Sequence, residues 1–455
     1  MTALLTLSRR PLVILAYPQV EHEKDYLYHW MPFSLLTIAG TLLLDDVDVV
    51  IFDGNERTAE QWSDFLDEHL DRALCVGVSI MTGGEQIRHG LDMAREAKSR
   101  AGCPPIVWGG PHVNVLPEQT AQHDLVDVVL RGPGQTSMSA YVAALRGQLA
   151  LDEVPGLLIL DGARELRGPG NPPKVDQMGG YPWHLLNVTE YIRDDPTIAP
   201  STLNYVSSQG CVYKCAFCYE TSYQRKWSAM PAGTLADDVQ HLVHAFDLSG
   251  IKLYDADAFV QPKRMIEFCE ELVRRELDIA WAASINPNDV LRSRRQGLDL
   301  LGAIASTRCR RLLMGIESGS DRVLRDIVRK EITRADALDV ATSIAEAGIL
   351  GCYTFIVGYP GETDDEVDQT YALLEQLQQL EPMPETRVHL FGPFPGTPLW
   401  ESAVAAGFEA PADLEGWAGF DYYGSQTPWT SEATVARARA HTRLVKRPGL
   451  ASVGG

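Results

Sequence analysis

Basic residues are scarce in this 455-residue chain, which has 40 Lys and Arg against 61 Asp and Glu and a formal net charge of −21. Because binding nucleic-acid phosphates requires clustered cations, this balance argues against a DNA- or RNA-binding surface. Long apolar runs are also missing: none reaches the roughly 18 residues that span a bilayer, so the sequence predicts no membrane segment. The arginines near the N-terminus follow the first apolar stretch, unlike those of a secretory signal.

Cysteine is sparse as well. Eight cysteines are too few for a disulfide scaffold in a chain of this length. They are unevenly spaced, however, and three of them fall between positions 211 and 218. The hydrophobic content of 45% is that of an ordinary globular protein, and the length suffices for two or three domains.

The first part of the chain alternates short apolar runs with helix-like stretches. The runs cover residues 11–17, 47–52, 74–79, 106–108 and 126–130. This pattern is typical of an open, doubly wound parallel sheet, so we predict a Rossmann-like α/β domain over residues 1–150. Ligands bind such sheets outside the carboxyl ends of the strands, and here those ends carry glycine-rich loops.

The remaining chain divides into three parts. Residues 151–200 contain many glycines and prolines and are predicted to be a linker. Residues 201–400 contain six strand–helix repeats, which predict an incomplete (β/α)6 barrel of the TIM type with its chemistry at the carboxyl ends of the strands. Residues 401–455 form a C-terminal extension, whose tail from position 447 we expect to be disordered.

The cysteine cluster directly follows the first predicted strand of the barrel and has the spacing C-x3-C-x2-C, at Cys211, Cys215 and Cys218. Three thiolates can hold three irons of a [4Fe–4S] cluster and leave the fourth iron open. A structural zinc site normally has four protein ligands, and the other five cysteines show no matching spacing. We therefore favour an iron–sulfur cluster in a reducing cytoplasm, with zinc or three unrelated thiols as alternatives.

With Phe217 just before the last cysteine, this segment resembles the radical S-adenosylmethionine (SAM) superfamily. The resemblance implies that SAM chelates the open iron and that an external donor of the flavodoxin or ferredoxin type supplies the electron that cleaves SAM to a 5′-deoxyadenosyl radical. By the same resemblance, residues at later strand ends bind SAM together with Phe217, namely Asp255, Asp257, Ser284, Glu317, Ser318 and Gly358. Taken singly, the Glu-Ser-Gly-Ser and Pro-Gly segments are also typical of a helix cap and a turn.

The N-terminal domain resembles the cobalamin-binding domain of class B radical SAM enzymes. The matching loops imply a set of cobalamin-binding residues: Ser79, Thr82, Gly109, Gly110, His112, Arg131, Gly132 and Gly134. Pro133 and Gln135 replace two residues that are usually acidic. No D-x-H-x-x-G motif is present, so we expect no histidine below cobalt, although His22 and His29 follow the first strand. The alternative is a Rossmann-like domain that binds a nucleotide phosphate or presents a substrate.

These features predict a cobalamin-dependent radical SAM methyltransferase. Such an enzyme transfers a methyl group from methylcobalamin to an unactivated carbon of a small molecule, here of the natural-product type. Tyr223, Arg225 and Trp227 are candidate substrate contacts, with packing or surface roles as the alternative. Three other functions remain open: the same cofactors used for ring contraction, cyclisation or hydrogen abstraction, a non-catalytic cobalamin or nucleotide sensor, and a zinc-binding structural protein.

Overall fold

The computed structural model of the chain describes residues 10–20, 30–162, 164–170, 178–222, 227–420 and 427–444. Two seven-stranded sheets organise these residues, one in each half of the chain. The predicted arrangement, a doubly wound domain followed by an incomplete barrel, is confirmed. No helix in the described ranges combines the length and the apolar character needed to cross a bilayer.

The first sheet has the strand order β2-β1-β3-β4-β5-β6-β7, and its first five strands are parallel. Helices cover both faces: α1 and α6 pack on one, α2 and α3 on the other. The strands are therefore continuously apolar rather than alternating. The strands are β1 (Leu12–Tyr17), β2 (Asp48–Asp53), β3 (Ala73–Ser79), β4 (Ile106–Gly109), β5 (Val128–Leu130), β6 (Leu157–Asp161) and β7 (Arg164–Arg167), and the helices are α1 (Phe33–Leu44), α2 (Ala59–His69), α3 (Glu85–Lys98), α4 (Pro111–Val115), α5 (Pro117–Ala121) and α6 (Gly134–Leu145).

The segment predicted as a linker over 151–200 is only partly a connection. Strands β6 and β7 form an antiparallel hairpin that extends the edge of the first sheet. Leu157 and Leu158 are buried there, whereas β7 reads Arg-Glu-Leu-Arg, as expected for a solvent-facing edge strand. Its polar sequence resembles a linker, and the glycine signals mark the ends of the hairpin instead.

The second sheet has the order β16-β15-β14-β13-β12-β9-β8, with six parallel strands and β8 antiparallel at one edge. Strands β10 and β11 form a separate short pair. The six predicted repeats are therefore present. The strands are β8 (Arg193–Asp195), β9 (Ala199–Tyr205), β10 (Ser208–Gln209), β11 (Ser228–Ala229), β12 (Gly250–Leu253), β13 (Ala280–Ser284), β14 (Cys309–Glu317), β15 (Leu350–Val357) and β16 (Glu385–Leu390).

Helices cover the outer face of this sheet, and the C-terminal extension covers its open edge. Thr386 of β16 exchanges two backbone hydrogen bonds with Arg443, at 2.9 and 2.8 Å, which protects an otherwise unpaired edge strand. The tail from 447 lies outside the described residues. The helices are α7 (Tyr219–Ser222), α8 (Ala232–Phe246), α9 (Pro262–Arg274), α10 (Pro287–Arg295), α11 (Leu300–Ala305), α12 (Arg334–Glu346), α13 (Asp364–Leu377), α14 (Trp400–Ala405), α15 (Leu414–Ala418) and α16 (Glu432–His441), with a π-helical turn at Val323–Ile327.

A buried ion network lies near the amino ends of the barrel strands. Arg311 of β14 donates to Glu385 of β16 at 3.2 Å and to Thr197 at 2.7 Å, and it lies 4.0 Å from Asp195. The Arg311 side chain is 4% exposed and both carboxylates are fully buried. The network therefore ties both ends of the open sheet together through one cation.

We predict that Arg311→Ala lowers the free energy of unfolding by about 3–5 kcal/mol, because it leaves two buried carboxylates without that cation. The matched control is Arg308→Ala, since Arg308 pairs with Asp278 at 3.0 Å on the surface and such pairs contribute about 0–1 kcal/mol. Urea denaturation followed by circular dichroism measures both. Equal shifts of the two midpoints would contradict a stabilising role for the network.

Candidate functional site

The cysteine loop begins where β9 ends, at the carboxyl edge of the second sheet. The short β10–β11 pair closes the base of the loop, and Gly210 turns the chain at φ 81°, a conformation that favours glycine. Cys211, Cys215 and Cys218 follow as partly exposed free thiols. The predicted position of the cluster motif, after the first strand, is therefore the observed one.

Backbone hydrogen bonds hold this loop from two sides. The Ala216 amide donates to the Val328 carbonyl at 2.7 Å, and the Leu399 amide donates to the Ala216 carbonyl at 3.1 Å. Val328 follows directly on the π-helical turn, whose wider winding is common at functional sites. The middle of the loop is thus fixed between the segment after β14 and the segment after β16.

The thiols suit a cluster better than free cysteine chemistry. Burial raises the pKa of Cys211 and of Cys218 to about 12, and it also raises the pKa of Cys215. They therefore become thiolates at neutral pH only when a metal site stabilises the charge. No three His, Cys, Asp or Glu side chains in the described ranges converge on a single ion. A [4Fe–4S] cluster does not require three side chains to meet at a single ion, because each thiolate binds a different iron.

Asp255, after β12, is fully engaged by the start of the cysteine loop. Its carboxylate accepts from the Ser207 amide and hydroxyl, both at 2.6 Å, and from the Ser208 amide at 2.9 Å. Arg264 donates to the same Ser207 hydroxyl at 2.9 Å. These contacts favour a positioning role for Asp255, rather than the SAM contact expected from sequence.

Asp257 is placed differently. It is 2% exposed, and its Oδ2 atom has no hydrogen-bond partner among the described residues. Burial and the nearby Asp289 carboxyl raise its pKa well above the usual range, and Asp257 in turn helps to raise the pKa of Cys211. Asp289 accepts from Tyr213 of the cysteine loop at 2.6 Å. Asp257 thus pairs with the Asp289 carboxyl beside the cysteines, while no amide or hydroxyl of the described residues donates to its Oδ2 atom.

Glu317, at the end of β14, has the left-handed backbone conformation, with φ 76°. The buried Lys330 ammonium lies 3.2 Å from its carboxylate and donates to the Gly315 carbonyl at 2.6 Å. A Cβ at position 315 would lie 2.1 Å from the Glu317 carboxylate, so a larger residue there would displace that side chain. Burial opposes the charge on Lys330, but Glu317 and Cys215 outweigh it and raise the lysine pKa. A carboxylate and an ammonium therefore face the cysteine loop together.

Ser318 and Ser284 complete this edge of the sheet. The Ser318 hydroxyl is fully buried, lies 3.1 Å from the Thr370 hydroxyl of α13 and accepts from the Ser320 amide at 3.1 Å. Ser318 therefore packs the turn against α13. Ser284 ends β13, and its carbonyl accepts from the Ala258 amide at 3.3 Å.

Gly358 and Phe217 flank a buried tyrosine. The Gly358 backbone, at φ 82°, donates to Glu362 at 2.7 Å, and its carbonyl accepts from the Trp429 indole at 2.9 Å. Tyr359 is 1% exposed, its ring lies 6.2 Å from that of Phe217, and its hydroxyl has no partner in the described part of the chain. Burial raises the pKa of Tyr359, and the nearby acidic groups of Glu317 and Cys215 raise it further. This hydroxyl therefore lies within the same site.

The loops after β3 and β4 meet at the carboxyl edge of the first sheet. Gly110 has φ 100°, and a Cβ there would lie 2.5 Å from the Ile80 carbonyl, so the Gly109–Gly110 turn requires glycine. The Ser79 hydroxyl, at the end of β3, would lie 3.1 Å from the same added Cβ of residue 110. Thr82 and His112 are buried, and the Thr82 hydroxyl and both His112 nitrogens lack hydrogen-bond partners among the described residues. Such orphaned groups fit a polar ligand such as cobalamin.

The loop after β5 shows the same feature. The Arg131 Nε and Gln135 Nε2 atoms are buried without partners in the described ranges. Gly132 has φ 102°, and its amide donates to Asn114 at 2.8 Å. A Cβ on Gly134 would lie 2.4 Å from Ile38 of α1. Gln135, which replaces a usual acidic residue, thus supplies an unused amide donor.

The two strand-end edges face each other. The Asn114 amide donates to the Tyr219 hydroxyl, directly after Cys218, at 3.0 Å. The Trp30 ring lies 4.9 Å from that of Tyr254, after β12. The carboxyl edges of the two sheets, here called the ligand edges, are therefore in direct contact with each other.

Some predicted contacts are not placed. His22, His29, Tyr223 and Arg225 lie outside the described residues. Trp227 is partly buried, and its indole nitrogen has no hydrogen-bond partner in the described ranges.

Sequence reasoning missed four residues of this site: Tyr213, Asp289, Lys330 and Tyr359. Tyr359 directly follows Gly358, one of the residues predicted to bind SAM, and this position was available as a signal. Lys330 and Asp289 carry no motif, because only the folded chain brings them to the cysteine loop.

Two family models match the chain. The radical SAM superfamily model covers residues 205–374, and the B12 binding domain model covers residues 25–142. The first range contains the cysteine loop, and the second contains the loops after β3, β4 and β5. They confirm the predicted cofactors, a [4Fe–4S] cluster with SAM and cobalamin.

Relatives extend the similarity beyond one domain. An uncharacterized methyltransferase of Pyrococcus horikoshii is 27% identical over 304 residues, which are 66% of this chain and 63% of that protein. An anaerobic magnesium-protoporphyrin IX monomethyl ester cyclase of Rubrivivax gelatinosus is 27% identical over 357 residues, 76% of this chain and 62% of that protein. The chain thus spans less than two thirds of the length of these curated relatives.

Among solved structures, the radical SAM methyltransferase TsrM of Kitasatospora setae, with cobalamin and a [4Fe–4S] cluster bound, superposes with a TM-score of 0.67. The alignment covers 88% of this chain and 76% of that one at 18% identity, which establishes a shared fold. Residues 25–142 of the chain therefore match the B12 binding domain and residues 205–374 match the radical SAM superfamily, in the domain order that the sequence predicts.

Proposed function

We propose that this chain is a cobalamin-dependent methyltransferase that transfers a methyl group to an unactivated carbon of a small, natural-product-type molecule. The observation that carries the proposal is the opposition of the two ligand edges, through Asn114–Tyr219 and Trp30–Tyr254. A substrate in the space between them is within reach of both cofactors. The enclosing domains exclude water, which protects reactive species from side reactions.

The barrel residues divide the work at the cluster edge. The thiolates of Cys211, Cys215 and Cys218 hold the cluster, and the Asp255 carboxylate fixes the start of their loop. The Oδ2 atom of Asp257, which no amide or hydroxyl of the described residues engages, would accept from the SAM amino group, while Lys330 and the Tyr359 hydroxyl would donate to SAM oxygens. When bound, the cluster supplies the electron that cleaves SAM, and cobalamin carries the methyl group.

On the opposite edge, the first domain holds cobalamin through backbone and buried polar groups. Gly109 and Gly110 allow close approach, and Thr82, His112 and Arg131 supply the unused polar atoms. The electron comes from an external donor of the flavodoxin or ferredoxin type.

A second candidate function keeps both cofactors without methyl transfer. The similarity to the anaerobic cyclase of Rubrivivax gelatinosus, over 76% of this chain, favours it. In that case the chain abstracts hydrogen from its substrate and completes a cyclisation. The fate of the SAM methyl group distinguishes the two functions.

We predict that each anaerobically reconstituted chain contains about four iron and about four sulfide, and that cobalt is present in an amount equimolar with the protein. With a low-potential reductant and methyl-deuterated SAM, we expect 5′-deoxyadenosine and deuterium label in the corrinoid fraction. Metal analysis and mass spectrometry check both. The control is the triple Cys211→Ala, Cys215→Ala, Cys218→Ala variant, which should retain cobalt but lose iron and 5′-deoxyadenosine.

Each contrary outcome has a distinct meaning. Iron without cobalt contradicts the cobalamin part of the proposal. 5′-Deoxyadenosine without label in the corrinoid favours the cyclisation chemistry instead. A wild type that forms no 5′-deoxyadenosine, together with a triple cysteine variant that binds cobalamin as well as the wild type does, indicates a sensor. Zinc in place of iron indicates a structural metal site.

We predict opposite defects for the neighbouring variants Asp255→Asn and Asp257→Asn. Asp255→Asn should reduce iron incorporation severalfold, because an amide cannot accept all three hydrogen bonds from the loop. Asp257→Asn should keep the iron but weaken SAM binding about tenfold, as expected for loss of a hydrogen bond to a charged group. Iron assays and equilibrium dialysis with radiolabelled SAM make the comparison.

Each variant serves as the other's control, since both change one buried carboxylate at the same strand end. If both variants lose iron equally, or if Asp255→Asn binds SAM poorly with a full cluster, the assigned roles are wrong.

A further inference from the structure

The C-terminal segment 411–420 lies on the first domain, although it follows the barrel in sequence. The Gln119 side chain donates to the Ala412 carbonyl at 2.7 Å, and the Gly84 amide donates to the Trp417 carbonyl at 3.0 Å. Its short helix α15 packs against α3. The segment therefore covers the loops that follow β3 and β4.

Trp417 is the centre of this contact. It is 1% exposed, and its ring meets the His112 ring edge-to-face, with centroids 5.8 Å apart and planes at 69°. The Phe420 and Trp400 rings also pack against the indole, with centroids 5.2 and 6.2 Å from its own. The indole is thus held in contact with the histidine of the Gly-Gly-Pro-His loop.

Two polar side chains of the loops that contact segment 411–420, His112 and Thr82, lack hydrogen-bond partners among the described residues. His112 is fully buried, and neither ring nitrogen has a hydrogen-bond partner in the described part of the chain. Burial lowers the pKa of His112 to about 4, so the ring is neutral at physiological pH. The Thr82 hydroxyl is also without a partner there, two residues before the Gly84 amide that binds Trp417. Buried polar atoms left unpaired cost free energy, which a polar ligand would recover.

The chemistry of these groups matches one part of cobalamin. Its nucleotide tail combines an aromatic base with a sugar and a phosphate, whereas the corrin ring offers amide side chains and a metal. Indole packs favourably against aromatic bases, and imidazole and hydroxyl groups hydrogen-bond sugar and phosphate oxygens. An aromatic wall over two unused polar side chains therefore suits the tail.

We infer that segment 411–420 forms part of the cobalamin site, with Trp417 as the wall that packs against the nucleotide tail and selects complete cobalamin over corrinoids that lack it. The inference rests on the proposed function, since it assumes that the loops at 79–84 and 109–112 hold cobalamin. It assigns a specificity role to the C-terminal extension, which the sequence alone left without one.

The test compares two probes on the full chain with its cluster: aquacobalamin, and cobinamide, which lacks the nucleotide tail. Affinities are measured by anaerobic titration with absorbance detection for the wild type, Trp417→Leu and Trp417→Phe. The control is Trp429→Leu, because Trp429 lies in the same extension but donates to Gly358 on the barrel side. Iron content and the thermal midpoint verify that each variant is folded.

We expect Trp417→Leu to weaken aquacobalamin binding about tenfold and to leave the cobinamide affinity unchanged. Trp417→Phe should restore most of the loss, because it keeps an aromatic edge against His112. Trp429→Leu should alter neither affinity.

Three results for the Trp417 variants would overturn the inference. They are equal weakening of both corrinoids by Trp417→Leu, no weakening of either, and a Trp417→Phe variant that is folded yet binds as poorly as Trp417→Leu. If the wild type binds neither corrinoid, the proposed function itself fails and the inference fails with it. A wild type that binds both corrinoids with equal affinity refutes the tail contact alone.

Discussion

A buried carboxylate at the end of β12 determines where the cysteine loop starts. Asp255 accepts three hydrogen bonds from Ser207 and Ser208, so the chain must leave β9 in one direction. Arg264 supports the same turn and also donates to the Met230 carbonyl at 2.6 Å, which fixes the strand that returns from the loop. Because these groups are buried, their hydrogen bonds are strong and their loss is costly.

The rest of the site follows from that fixed start. The loop passes Tyr213, which binds Asp289, and Ala216, which is held by Val328 and Leu399. These partners follow three different strands, since Asp289 comes after β13, Val328 after β14 and Leu399 after β16. Parallel strands bring their carboxyl ends to one edge, and this topology lets distant residues act on a single loop.

Much of this arrangement could be predicted because it depends on local patterns. Apolar runs located the parallel strands to within a few residues, and the C-x3-C-x2-C spacing located the cluster loop. The linker prediction was wrong because β7 is an edge strand whose Arg-Glu-Leu-Arg sequence contains a single apolar residue, too few to show an alternating pattern. Lys330 was also missed, since its pairing with Glu317 depends on the π-helical turn before it and not on any spacing rule.

The distinction between Asp255 and Asp257 shows where sequence reasoning reaches its limit. The two carboxylates stand two residues apart after the same strand, and a motif treats them alike. In the folded chain Asp255 accepts three hydrogen bonds from the start of the cysteine loop, whereas Asp257 pairs with the Asp289 carboxyl and has an oxygen to which no amide or hydroxyl of the described residues donates. A satisfied buried carboxylate stabilises structure, while an unsatisfied one is tolerated only where a ligand offsets its cost. In the same way, the Ser318 hydroxyl is hydrogen-bonded within the protein, whereas the Tyr359 hydroxyl has no partner among the described residues. His112 and Thr82, at the edge of the first sheet, are identified as candidate ligand contacts by the same criterion. Hydrogen-bond satisfaction therefore assigns function in this chain at positions where residue type and spacing leave the role open.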